Sequence, residues 1–354
     1  MKSKINKLKN KFQCNNFLWT NQIETFYLSK AGFGDFWLVF IKSRVYAICS
    51  KMIENQVRLY FKDNNGGCAV IVRVADKSFS KSLSEILKEN KENKIVLDLR
   101  YINGETFVKL SKFLKREKIK LIEKSGILDD LRLIKDDEEK SYIKKSCDIV
   151  SKTANIIKKE LKAGMSELDI YFRILEIFAQ NKVRESFRPI VAAGINSANP
   201  HHQSSNYKIK KNDIVLIDIG CLYKGYASDL TRTYYLGKID GKIKAILKIV
   251  KSANEAVING IKAGLDISWA DKTARKIIED SGYKANFIHS VGHAIGIEVH
   301  EKPSLSSKAE GVFLSNMVAT VEPGIYLAGE FGVRIEDTIA ITKSGCEVLT
   351  SADY

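Results

Sequence analysis

Four carboxylates and one imidazole have the spacing to act together: Asp218, Asp229, His293, Glu322 and Glu336. Asp218 interrupts the branched apolar run Ile214-Val-Leu-Ile-Asp218-Ile, and strand-forming residues resume beyond Tyr223-Lys224-Gly225 and continue through Tyr235. Two such runs around a turn whose Gly225 supplies positive φ predict a β-hairpin over 214–235. If the hairpin is centred between Tyr223 and Lys224, Asp218 stands opposite Asp229, and opposed residues share a face with Cβ atoms roughly 4.5–5.5 Å apart. Two carboxylates so close in an apolar setting are costly unless a cation lies between them.

A second hairpin repeats the arrangement over 319–337, with Glu322 and Glu336 symmetric about Gly329. Between the hairpins, His289, His293 and His300 punctuate an apolar segment that Gly292 and Gly296 must bend if the three rings are to converge. Two Asp, two Glu and one neutral His form a hard, oxygen-rich set suited to divalent ions such as Mn²⁺, Co²⁺ or Zn²⁺. Four negative charges match two such ions, whereas one would leave buried negative charge. Four unrelated surface carboxylates and a core histidine would not explain the mirrored spacing.

Segments 218–233, 289–301, 321–326 and 334–337 resemble the motifs of the pita-bread metallopeptidases, the family of aminopeptidase P, prolidase and methionine aminopeptidase. The resemblance runs in order from about residue 133 to the C-terminus. It implies an α+β fold whose C-terminal domain, 126–354, is a curved antiparallel sheet with a pseudo-twofold repeat. The first region, 1–125, resembles the smaller α/β creatinase-type N-terminal domain, chiefly through residues 26–33. Carried over by position, Asp229 and Glu336 bridge two metals, Asp218 chelates one, and His293 with Glu322 completes the other. The resemblance also assigns His201, at the end of a Gly-Asn-Pro loop, to the substrate side, while His289 and His300 brace the site or contact substrate. His202 matches nothing and reads as neighbouring surface. Arg334 shares a strand face with Glu336, so it either braces carboxylates or contacts substrate; Arg232 reads as structural.

The implied chemistry is peptide hydrolysis by metal-activated water, with Glu322 as proton shuttle, His201, His289 and His300 stabilising developing charge, and Val299 lining a proline pocket. The short Glu322–Glu336 connection and the N-terminal domain favour proline-specific members over a methionine aminopeptidase-like enzyme. The expected activity is that of an Xaa-Pro aminopeptidase using two divalent ions, Mn²⁺ first; the alternative is an Xaa-Pro dipeptidase. A non-catalytic scaffold of the same fold is the non-enzymatic rival, and the intact ligand set argues against it.

The remaining chain must position these groups. At 354 residues and 45% hydrophobic it can build two cored domains. No apolar run approaches the roughly 20 residues of a membrane span, and no signal-peptide core follows the lysine-rich start, so a cytoplasmic setting is expected. Six scattered cysteines without CxxC spacing read as reduced thiols. The net charge of +15 comes largely from dispersed lysines without the arginine and aromatic clustering of nucleic-acid recognition, so no nucleic-acid partner is expected.

In the first region, strands are expected at 36–41, 44–49, 68–74 and 94–99, helices at 78–92 and 104–118, and a turn at 64–67. All five histidines lie beyond residue 200, so this region is expected to serve homodimer formation and to wall the site's mouth. Beyond it, amphipathic helices are expected over 138–161 and from Ser166 to about 181, with Gly164 as a stop and Ser166/Asp169 as a cap. Residues 254–263 and 268–281 are their counterparts in the second half.

Overall fold

The computed structural model describes residues 1–64 and 66–353, so Asn65 of the expected turn lies outside the described residues. The chain divides into two compact units, Met1–Leu131 and Arg132–Tyr354, where the sequence set the division at 125/126.

The first unit is a six-stranded mixed sheet with strands in the order Val70–Val74, Arg44–Cys49, Phe36–Ile41, Asn16–Trp19, Lys94–Asp98 and Lys120–Lys124. The hairpin joining Phe36–Ile41 to Arg44–Cys49 falls on the expected residues. Helices Phe79–Glu89 and Gly104–Arg116 start where Ser78 Oγ accepts from Lys81 N and Asn103 Oδ1 accepts from Thr106 N, which satisfies amide groups a helix start leaves unpaired. Leu83, Ile86 and Leu110 from these helices pack on Leu18, Val39, Ile48 and Leu97 of the sheet. Each buried aliphatic side chain contributes about 1.5–3 kcal/mol. The sequence reading missed Asn16–Trp19 because this short central strand is buried at every position and shows no alternation.

The second unit is an internal repeat. Helix Asp137–Glu160 opens on a capping box between Asp136 and Glu139, and Glu167–Gln180 opens on the expected box between Ser166 and Asp169. Gly241–Gly260 and Ser268–Asp280 are their counterparts. After the first helix of each pair the chain turns through a positive-φ glycine, Gly164 or Gly264. The two turns make equivalent bonds: Gly164 N to Ile209 O with Ile209 N to Met165 O, and Gly264 N to Phe313 O with Phe313 N to Leu265 O.

Each helix pair backs an antiparallel sheet. In the first half the strand order is Leu230–Tyr235, Ile214–Ile219, Ile190–Ala193; in the second it is Glu301–Ser304, His293–Ala294, Val318–Val321, Asp337–Ile341, Cys346–Val348. Ile174, Ile177 and Phe178 pack beneath the first with Val215 and Ile217, and Ile246, Val250 and Val257 beneath the second with Ala319 and Ile339. The halves are stitched along their facing edges by Glu336 N to Thr231 O (3.1 Å), Thr233 Oγ1 to Arg334 O and Thr338 Oγ1 to Asp229 O (both 2.8 Å).

One register differs from expectation. Asp218 stands opposite Thr231, not Asp229, because the hairpin turns on Lys224 (φ 51) and Gly225 (φ 80). Both central residues of this two-residue turn have positive φ, which moves the centre by one residue and the partner by two. A shift of two preserves the face, so Asp229 remains on the side of Asp218 as a diagonal neighbour. In the second hairpin, Val321↔Asp337 and Gly324↔Arg334 share one register that sets Glu322 against Glu336, as the symmetry about Gly329 implied. Among the described residues no helix is long and apolar enough to cross a membrane.

Candidate active site

The five candidate ligands gather where the two halves meet, at the floor of a cleft of about 860 Å³. Asp229, His293 and Glu336 each bring one ligand atom within 4.8 Å of the others. Glu322 lies beside this triple, its Oε1 3.4 Å from His293 Nε2, which is also 3.6 Å from Asp229 Oδ2, and Asp218 lines the same cleft. His293 Nδ1 donates to its neighbour's carbonyl, Ala294 O, at 3.2 Å. Its Nε2 lone pair therefore points towards two carboxylate oxygens, an arrangement that a cation between them resolves. Burial, and then the nearby His300, holds His293 down at about 4, so the ring is neutral, the form that binds metal.

The carboxylates carry the same signature. Burial first, then the charges of Glu336, Asp218 and Glu322, push Asp229 well above the usual carboxylate range, and burial with Glu322 and Asp218 does the same to Glu336. Glu322 is pushed up to about 7, mainly by burial and then by Asp218, against the opposing pull of Arg334. Asp218 Oδ1 and Glu336 Oε1 are buried acceptors without a hydrogen-bond partner. Orphaned oxygens, crowded negative charge and a neutral imidazole lone pair fit a divalent metal centre.

Three networks position this floor; bracing by Arg334 was one of its two expected roles, whereas the partners Thr231, Tyr326, Glu167, Arg132 and Lys135 were not anticipated. Arg334 Nη2 donates to Asp218 Oδ2 at 2.6 Å and its Nε to Thr231 Oγ1 at 3.1 Å, while Thr231 Oγ1 donates to Glu336 Oε2 at 2.7 Å. Of the two roles open to Arg334, these contacts are the bracing ones. The same guanidinium donates from Nη1 to Tyr326 Oη at 2.7 Å, and Tyr326 lies 3.0 Å from His289 Nε2. His289 Nδ1 donates to Ser290 O at 2.8 Å, so Nε2 accepts from Tyr326 and both ring nitrogens are engaged. Burial holds His289 down at about 4.

The second network corrects the reading of His202. Its ring is not free surface: Nε2 donates to Glu167 Oε2 at 2.8 Å, and Glu167 is fully buried. Glu167 also accepts from Ala193 N, Asn196 Nδ2, Ser205 N and Ser205 Oγ, each at 2.8–2.9 Å. It thereby ties down both ends of the loop that presents the exposed His201 to the cleft. Arg232, read as structural, pairs with Asp337 at 2.8 Å and donates to Glu336 O at 2.6 Å.

The third network holds the His300 loop. Glu301 accepts from Arg132 Nη2 at 2.6 Å, Lys135 Nζ at 3.1 Å and Ile297 N at 2.9 Å, and all three charged side chains are buried. His300 packs against His293 with ring centroids 4.4 Å apart, and Val299 joins it in lining the cleft. Gly292 and Gly296 make this loop possible, but by close approach and not by left-handed backbone. A Cβ on Gly292 would sit 2.1 Å from Thr320 O, and one on Gly296 would lie 2.7 Å from the Glu301 carboxylate. Asp271 and Arg275 add a clamp in the second half, Arg275 donating to Phe287 O and His289 O at 2.9 Å each. Their i,i+4 spacing was the one visible signal of it.

A model of metallopeptidase family M24 matches residues 141–343. An Xaa-Pro dipeptidase of Pyrococcus furiosus is 37% identical over 270 residues, covering 76% of this chain and 76% of that protein. Among solved structures, an Xaa-Pro dipeptidase from Bacillus anthracis superposes with a TM-score of 0.93 at 31% identity, over 99% of this chain and 98% of its own. An X-Pro aminopeptidase from Thermotoga maritima superposes with a TM-score of 0.88 at 28% identity, over 98% of each chain.

Proposed function

The chain belongs to metallopeptidase family M24, with the pita-bread fold of that family's exopeptidases, and from that premise we propose that it is a metal-dependent Xaa-Pro dipeptidase. The expectation from sequence put Xaa-Pro aminopeptidase first and the dipeptidase second. The relatives that match over most of their length support the second, since the Pyrococcus and Bacillus proteins are Xaa-Pro dipeptidases. The aminopeptidase from Thermotoga keeps the first as the rival reading.

The observation that carries metal dependence is the His293 Nε2 lone pair facing Asp229 and Glu322 oxygens at 3.6 and 3.4 Å. Asp218, Asp229, His293, Glu322 and Glu336 would hold the metal, read here as two divalent ions with Mn²⁺ first and Co²⁺ or Zn²⁺ next. Bound there, such ions supply an acidified water and a polarised scissile carbonyl.

The chain's own residues do the rest. The Glu322 carboxylate takes a proton from the attacking water and returns it to the departing proline nitrogen. His201 and His300, exposed at the cleft, donate to the substrate's oxygens, and Val299 borders the proline ring. His289, engaged through both nitrogens, orders Tyr326 and through it Arg334. The same reading takes the enzyme as a cytoplasmic homodimer.

The test is hydrolysis of Leu-Pro and Leu-Pro-Leu by protein of measured metal content. Faster cleavage of the dipeptide supports the proposal, a preference for the tripeptide returns the aminopeptidase reading, and inert metal-replete protein removes both.

A further inference from the structure

Glu167 and His202 take no part in the chemistry proposed above, yet they are bonded to each other at 2.8 Å at the edge of the cleft. Glu167 is fully buried, and its other donors, Ala193 N, Asn196 Nδ2, Ser205 N and Ser205 Oγ, are neutral. Among the described residues no lysine or arginine pairs with it, and His202 is the basic side chain within bonding distance. A buried carboxylate so placed holds its donors firmly, because each donor lost leaves negative charge without water to replace it.

The loop between those donors carries His201. Pro200, His201, His202 and Gln203 all line the cleft. Asn199 shapes the turn, its Oδ1 accepting from His201 N and its carbonyl from His202 N, both at 3.1 Å. The side chains of His201 and Gln203 are exposed, and among the described residues neither forms a hydrogen bond or an ion pair. Within Pro200, His201, His202 and Gln203 the His202 ring is therefore the one side-chain tether, and it joins the residue beside His201 to the first residue of helix Glu167–Gln180. An imidazole with no partner of its own keeps its place only as well as the backbone beneath it does.

We propose that His202 is a positioning residue that acts through Glu167 to hold His201 where it meets the substrate, an inference that rests on the substrate role read for His201. His202 Nε2 donates to an ionised carboxylate, which fixes both the ring and the chain on either side of it. A misplacement of about 1 Å in a group that meets the reacting centre can cost about 100-fold in rate, so a tether one residue away controls turnover without touching substrate.

The experiment measures kcat and KM on the faster substrate of Leu-Pro and Leu-Pro-Leu for metal-loaded wild type, H201A, H202A, H202Q and the double variant H201A/H202A, at a temperature where melting curves show each one folded. Glutamine carries its amide nitrogen the same number of bonds from the backbone as Nε2 and can keep the bond to Glu167, whereas alanine cannot. H202A should lower kcat/KM about tenfold to a hundredfold, chiefly through kcat, and H202Q should recover most of that loss. In the H201A background, H202A should change nothing further. Losses that multiply in the double variant, or H202A with wild-type kcat/KM, overturn the positioning role and leave the peptidase reading standing. Should H202A fail to fold, H202N, polar but too short to reach Glu167, carries the same comparison. H201A with full activity removes the substrate role of His201 and the proposal with it, and wild type that cleaves neither peptide overturns the peptidase reading as well.

Discussion

Arg334 Nη2 stands 2.6 Å from Asp218 Oδ2, both side chains nearly buried, and this guanidinium is the counter-charge that three neighbouring carboxylates lack. Removing one partner of a buried pair leaves the other uncompensated, at about 3–5 kcal/mol. The metal-free Arg334→Met protein should therefore be destabilised by about that amount. Divalent metal supplies replacement charge to Asp218, so its addition should raise the melting temperature more in the variant than in wild type. Thermal unfolding with and without Mn²⁺ checks this, and equal shifts would remove Arg334 from the charge balance.

Glu336→Gln tests the same balance from the acidic side. Burial and the charges of Glu322 and Asp218 already push Glu336 upward, so the neutral amide relieves repulsion in the metal-free protein. The variant should be about 1–2 kcal/mol more stable than wild type without metal, or ~2–8 °C higher in Tm for a domain of this size. With metal the order should reverse, since a ligand is gone, and hydrolysis should fall at least about 100-fold. Bound-metal analysis alongside calorimetry separates the two effects; a variant that binds metal as wild type does would exclude Glu336 from the ligand set.

Glu167 gives a prediction with a pH sign. Burial raises its carboxyl, but the hydrogen bonds from Ala193, Asn196, His202 and Ser205 outweigh it, and the folded value lies below the ordinary 4.5. A group with a depressed folded value stabilises the fold above its unfolded value and loses that contribution as pH falls through the folded one. Wild type should thus lose stability as pH drops below about 4.5, and Glu167→Gln should lose less over the same interval. At pH 7 the variant should be about 1–3 kcal/mol less stable, because an amide cannot accept all five bonds. Denaturant unfolding across pH 3–7 checks the slope.

Much of the carboxylate cluster was legible because acidic residues inside apolar hairpins violate the ordinary pattern, as Asp218 does within Ile214–Ile219 and Glu322 does between Val318–Val321 and Gly324–Leu327. The Asp218 register was misassigned because sequence marks glycine as the positive-φ residue of a turn, while Lys224 shares that conformation here without any compositional sign. His202 and Glu167 were illegible for another reason. They lie 35 residues apart in the chain, and a helix-starting glutamate reads as a solvated end until the fold buries it. The Tyr326 link between His289 and Arg334 is equally non-local, since nothing about a tyrosine in a strand declares which ring nitrogen it will meet.

The partners of Glu301 decide whether it supports the fold alone or the site as well. Burial raises its carboxyl, and Lys135 and Arg132 more than reverse that, so it is ionised and paired with both. Glu301→Gln leaves the buried Lys135 facing an amide and Arg132 paired with the Glu298 carboxylate, and should cost about 3–5 kcal/mol. Adding Lys135→Met removes one stranded charge, so the double variant should be less damaged than the sum of the single ones, with a coupling of about 1–3 kcal/mol. The activity readout carries the functional half. Glu301 accepts from Ile297 N and packs under Gly296, shaping the turn that brings His300 to 4.4 Å from His293. At a temperature where every variant is folded, Glu301→Gln should therefore lower kcat more than it raises KM, and the double variant should recover stability without recovering kcat. Recovery of both together would make Glu301 a support of the fold only.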